Sequence, residues 1–151
     1  MLSTLHTNDA ASAVTRLIDM GVEPFLIASS LVLVAAQRLC RQLCTHCKTP
    51  AQIPKAMFDR LEIPDVSKAQ WYGPKGCAQC AQTGYRGRFG ILETMTVDDR
   101  IREMIVDRAA SDQIKTYAMS QGMRTLRQEG VEHAMSGRTS LEEVLRVTAE
   151  E

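Results

Sequence analysis

Aromatic side chains are scarce in this sequence, with one Trp, three Tyr and three Phe among 151 residues. That scarcity argues against a stacking platform for single-stranded nucleic acid. It leaves the core to Leu, Ile, Val, Ala and the eight Met. An excess of charge is also missing. The 18 Lys and Arg balance the 18 Asp and Glu, which counts against a nucleic-acid arm or a polybasic membrane anchor. No long apolar run exists either. The longest, from Phe25 to Ala36, has twelve residues and contains Ser29 and Ser30, whereas a bilayer span needs about 20. The N-terminus is polar rather than a basic stretch followed by an apolar one, so no export signal is expected. There is no G-x-x-x-x-G-K-[ST] motif, and hence no phosphate cradle of that type.

What remains is ordinary enough to fold. Apolar residues make up 44% and charged residues 24%, which suits a chain of about one domain with a packed core. Residues 1–41 and 98–151 carry helical periodicity. "HTNDAASAVTRLIDMG" predicts a helix capped by Thr7, Asn8 or Asp9, with Ala13, Val14, Leu17 and Ile18 on one face and a stop at Met20-Gly21. Pro24 suits a first helical turn, and the apolar pattern that follows predicts a buried helix to about Cys40. Its apolar face, without a sheet to cover it, is expected to drive self-association. Further helices are predicted near 98–106, 111–120, 125–136 and 140–147, starting at Asp98, Ser111, Thr125 and Ser140, with a capping box between Ser140 and Glu143.

Between them, residues 42–97 are punctuated by Pro50, Pro54, Pro64 and Pro74 and by Gly73, Gly76, Gly84, Gly87 and Gly90. A short helix at 55–61 and a strand at 88–96 are predicted, with turns around them. Such a stretch has too few apolar side chains to organise itself and needs a staple. The sequence offers one. Cys44-Thr-His-Cys47 and Cys77-Ala-Gln-Cys80 are two C-x-x-C pairs, 29 residues apart. Each two-residue gap lets a tight turn aim two thiolates at one point, and two such turns complete the tetrahedral shell of a structural Zn2+. Free thiols, two disulfides or an iron–sulfur cluster use the same residues, and redox chemistry is formally open to C-x-x-C. Neither pair, however, stands at a strand-to-helix junction. Cys40 reads as a buried thiol. His46 lies within the first pair and could replace a sulfur ligand. Arg86 and Arg88 in "TGYRGRFG" read either as a basic contact loop or as solvated residues leading into the strand. His6, in the polar loop "STLHTND" ahead of the first helix, is placed where a phosphate could approach a helix N-terminus, although a lone loop histidine is usually just solvated.

Taken in order, "LSTLHTNDAASAVTRLIDMGVEPFLIASSL", "AQRL", the two cysteine pairs, "GYRGRFGILE", "GMRTLRQEG" and "TSLEEVLRVT" closely resemble the C-terminal third of the ATPases that drive type II secretion and type IV pilus assembly, the GspE/PilB-like secretion ATPase family. The resemblance implies that His6 belongs to a His box approaching the γ-phosphate of ATP. It implies that Cys44, Cys47, Cys77 and Cys80 form a tetracysteine zinc site, and that Arg38 lies near the lower face of the nucleotide domain. ATP and Mg2+ would be cofactors only of the intact parent, because the Walker A loop, Asp box and Walker B carboxylate lie upstream of the His box in the family and none is present here. The chain is therefore expected to be a fragment that is inactive by itself. The parent would be a hexameric homo-oligomer, cytoplasmic and peripheral at the inner membrane, docked on platform and adaptor proteins and binding no nucleic acid.

The expected fold is α+β and mainly α, a C-terminal fragment of a RecA-like P-loop ATPase domain. Residues 1–41 would be the end of the nucleotide-binding domain, 42–97 the tetracysteine zinc subdomain and 98–151 a C-terminal helical bundle. The alternative is a stand-alone zinc-knuckle module binding protein or nucleic acid.

Overall fold

A computed structural model describes residues 2–61 and 69–149, the side chains of residues 60 and 61 excepted. Pro64 and the chain ends at Met1, Glu150 and Glu151 lie outside the described residues. The fold is α+β. In chain order the elements are α1 (Ala10–Asp19), α2 (Pro24–Ser30), β1 (Leu33–Leu43), β2 (Thr49–Pro50), α3 (Lys55–Leu61), β3 (Tyr72–Gly73), a 3-10 turn (Ala78–Cys80), β4 (Tyr85–Thr96), α4 (Asp99–Val106), α5 (Ser111–Ser120), α6 (Leu126–Met135) and α7 (Leu141–Val147). β1 pairs with β4, and β2 pairs antiparallel with β3 through Thr49–Gly73 and Pro50–Tyr72.

One expectation fails outright. The predicted helix from Pro24 to Cys40 is a seven-residue helix followed by an eleven-residue strand. Leu31 turns extended (φ −82°, ψ 125°) after Ser29-Ser30, and the chain then runs out as β1. Along it Ala36 and Cys40 are buried on one face while Leu33 and Leu39 are exposed. A short apolar run reads alike in a helix and in a buried strand, and pairing with β4 decides the matter here.

The described chain forms two compact units. The first joins residues up to Gln37 with Leu92–Leu126, and the second joins Arg38–Ile91 with residues from Arg127 on. The four predicted C-terminal helices are all present; α4, α5 and Leu126 at the start of α6 fall in the first unit, and the rest of α6 and α7 in the second.

In the first unit, α1 packs on α5, and α2 on α4. The small buried face of α1 (Ala10, Ala11, Ala13, Val14) allows close approach to the α5 face carrying Ile114 and Ala118. Ile27 and Ala28 of α2 meet the α4 side that buries Ile101 and Ile105. Each such buried Ile contributes about 1.5–3 kcal/mol. The starts of these helices are chemically marked. Asp9 accepts from the Ser12 amide at 2.7 Å, and Asp98 accepts from the Ile101 amide at 2.8 Å. Of the three residues expected to cap α1, Asp9 does so.

The second unit has its own core of Trp71, Val131, Ala134, Leu141 and Val144, with Ile53, Met57, Phe58 and Leu145 packed against it. Phe58 and Trp71 meet with ring centroids 5.7 Å apart. α6 approaches α7 closely at Gly130, where an added Cβ would lie 2.8 Å from a Val144 methyl.

Candidate metal centre

The sulfurs of Cys44, Cys47, Cys77 and Cys80 lie within 4.8 Å of one another, and three of the four residues are buried. Both knuckles are made by local turns. In the first, the amides of Cys47 and Lys48 return to the Cys44 carbonyl at 3.2 and 2.9 Å. In the second, the 3-10 turn Ala78–Cys80 ends with Ala81 and Gln82 in the left-handed region (φ 50° and 62°). The two knuckles meet because the Cys44 amide donates to the Gly84 carbonyl at 2.9 Å. Gly84 is required here. Its φ is +76°, and a side chain would overlap the Pro74 ring.

Three of the sulfur spacings suit a four-thiolate shell. Cys44–Cys77, Cys47–Cys80 and Cys77–Cys80 are separated by 3.9, 3.8 and 3.7 Å. A tetrahedron with sulfur about 2.3 Å from a central ion has edges of about 3.8 Å. Backbone amides serve the sulfurs as well, since Cys77 and Gly84 each donate to Cys80 Sγ at 3.2 Å. Burial pushes the Cys47 thiol up to about 11. Burial acts on Cys80 in the same sense, but the Cys77 and Gly84 amides and the neighbouring thiols draw it down to about 6. Four sulfurs with no position left over could hold a metal ion structurally, without an open coordination site for chemistry. His46 is exposed and stands outside the sulfur cluster.

The remaining candidate residues are dispersed. His6 is exposed in the irregular stretch before α1, three residues ahead of the Asp9 cap. Arg38 lies partly buried on β1, and Cys40 is buried on the same strand, its thiol pushed up to about 11 by burial and then by the nearby Glu143 carboxylate. β4 begins at Tyr85, directly after the second knuckle, and leaves Arg86 and Arg88 exposed.

Among the described residues two acids are buried, Glu93, which sequence reasoning passes over, and Glu143, which it reads only as a capping residue. Glu93 is fully buried, and its Oε1 accepts from the Ala10 amide at 2.8 Å while Oε2 accepts from the Leu126 amide at 3.4 Å. Its signal was available, because Ile91, Glu93, Met95 and Val97 alternate along one buried face and the acid is the odd member. Glu143 is 1% exposed. Half of the predicted capping box forms, the Ser140 hydroxyl accepting from the Glu143 amide at 3.2 Å. The Glu143 carboxylate instead accepts from Arg41 Nε and Nη2 at 2.9 and 2.6 Å, from the Arg41 amide at 2.9 Å, and from Arg146 Nε and Nη2 at 2.8 and 2.6 Å.

The family model described as "Type II/IV secretion system protein" matches residues 1–146. The chain is 49% identical to the "Type IV pilus assembly ATPase TfpB" of Acinetobacter baylyi, over 97% of this chain and 26% of that protein. It is 47% identical to the "Type II secretion system protein HxcR" of Pseudomonas aeruginosa, over 98% of this chain and 28% of that protein. It is 44% identical to the "Type II secretion system ATPase E" of Vibrio cholerae, over 99% of this chain and 30% of that protein. The chain thus spans less than a third of the length of these relatives.

Proposed function

The chain belongs to the type II/IV secretion system protein family, and we propose that it is the C-terminal region of a motor that hydrolyses ATP to drive type II secretion or type IV pilus assembly. The observation that carries this reading is the match along nearly the whole chain to relatives named as ATPases of both systems. In this reading residues 1–41 close a RecA-like nucleotide domain, 42–97 form a zinc subdomain and the helices from 98 onward complete the region. His6, exposed before a capped helix, would reach the γ-phosphate of ATP held by the rest of the motor. The 151 residues contain no G-x-x-x-x-G-K-[ST] segment, so alone they would not turn over ATP.

Zn2+ is the ion that four buried or half-buried thiols at tetrahedral spacing suit best. Bound there, it would supply a cross-link between the two knuckles and no reaction chemistry. No described helix is long and apolar enough to cross a membrane. The motor would work as a homo-hexamer on the cytoplasmic side of the inner membrane, held there by platform and adaptor proteins.

The test uses the complete protein that carries this chain. Purified, it should hydrolyse ATP, and His6→Ala should slow turnover about a hundredfold, the loss typical of removing one donor to developing charge. A complete protein without ATP turnover overturns the motor reading. Unchanged turnover in the variant removes the role given to His6.

A further inference from the structure

Three arginines away from the sulfur cluster open onto one cleft. Arg41, Arg88 and Arg146, with Leu39, line a cavity of about 410 Å³ in the second unit. Small-molecule sites commonly measure about 300–1,000 Å³.

Two of the three guanidinium groups are fixed from behind. Glu143 takes Nε and Nη2 of Arg41 and the same two atoms of Arg146. These contacts leave Nη1 of each out of the carboxylate's grip, on side chains that are 44% and 56% exposed. Arg41 is held further by the Tyr85 ring, whose centroid lies 4.2 Å from the guanidinium carbon. Arg88 comes from β4 and is exposed. The cleft therefore sets two anchored guanidinium groups and the exposed Arg88 against the buried Glu143 carboxylate.

We propose that this cleft binds a compact soluble polyanion of the diphosphate type. A single carboxylate would engage one fork, whereas a diphosphate carries enough oxygens and charge to meet donors from three sides. The forks are already oriented by Glu143, so little side-chain freedom is lost on binding. Leu39, 53% exposed, provides an apolar edge beside the charged wall.

The test is calorimetric titration of the 151-residue chain with inorganic pyrophosphate and, separately, inorganic phosphate. Saturable pyrophosphate binding, at least about tenfold tighter than phosphate, is expected because one more phosphoryl group meets the forks. Arg88→Gln should weaken it about tenfold, the loss of one charge-assisted contact. Arg88 is exposed, so the variant's melting curve should follow the parent's. Arg100→Gln, at an exposed arginine paired with Glu103 in the first unit, should leave binding unchanged. As a second readout, pyrophosphate should protect Arg88 from phenylglyoxal, as seen by peptide mass spectrometry. No saturable binding of pyrophosphate, equal affinity in Arg88→Gln, or undiminished Arg88 modification overturns the proposal.

Discussion

The Ala10 amide, at the first residue of α1, donates to the fully buried Oε1 of Glu93 at 2.8 Å, across 83 positions of sequence. The other oxygen of the same carboxylate takes the first amide of α6 at Leu126. One acid thus satisfies donors at two helix starts, where unpaired amides and the helix dipoles both favour negative charge.

Glu93→Gln keeps the shape but replaces one acceptor oxygen by an NH2 group turned toward these donors. Unfolding in urea should show a loss of about 1–3 kcal/mol. Hydrogen exchange at Ala10 and Leu126 should quicken beyond the change at other protected amides. Equal exchange in the two proteins would show that the carboxylate does not hold these helix starts.

Acid should act through Glu143. Burial alone would raise its pKa, but the Arg146 and Arg41 guanidinium groups and the Arg41 amide overcome that and bring it down to about 2 from 4.5. A depressed folded-state pKa contributes stability that is present above the unfolded value. That contribution is lost as the pH falls from about 4.5 toward 2, and it amounts to about 3 kcal/mol for this gap. Denaturation curves collected across that window should flatten in Glu143→Gln. A pH slope identical in both proteins would count against the ion-pair account.

The five cysteines should separate into four and one. With metal bound, iodoacetamide at neutral pH should label none of them. After chelation Cys44, Cys47, Cys77 and Cys80 should react. Cys40, fully buried with its thiol pushed up to about 11, should stay unmodified until the chain unfolds. Elemental analysis should find one zinc per chain. Labelling of all four knuckle cysteines before chelation, with zinc absent, would dismiss the staple.

Two glycines with similar backbone angles should respond differently to alanine. Gly84 (φ +76°) has the Pro74 Cα 2.9 Å from where a Cβ would sit, and its amide serves Cys80. Gly87 (φ +83°) has nothing within 4 Å. Gly87→Ala should cost about 1–2 kcal/mol, the left-handed penalty alone. Gly84→Ala should cost roughly 1–3 kcal/mol more through overpacking and should weaken metal retention. Thermal melts with metal analysis compare the pair, and equal costs would deny the close approach.

The helix starts were legible because caps act locally. Asp9, Asp98 and Ser140 each accept from an amide three residues on, and short-range chemistry of that kind can be read from neighbours in sequence. α5 shows the limit, since its flanking residue Ala110 makes no side-chain cap and Ser111 is already helical. The cysteine spacing was legible for the same reason, because each knuckle is a local turn. β1 was misread because a strand is fixed by its partner, and β4 begins some forty residues further on. Glu93 and the Arg41 pairing of Glu143 escaped on like grounds, the donors Ala10 and Arg41 lying 83 and 102 positions away.

The meeting of the two knuckles has a consequence for how this region tolerates change. With an ion tying Cys47 to Cys77, the ends of the excursion between them stay together whatever its length. Doubling such a loop adds only about 0.6 kcal/mol of closure entropy. Insertions should therefore be tolerated in the parts of that excursion that spare Ile53, Met57, Phe58 and Trp71, which pack in the core of the second unit.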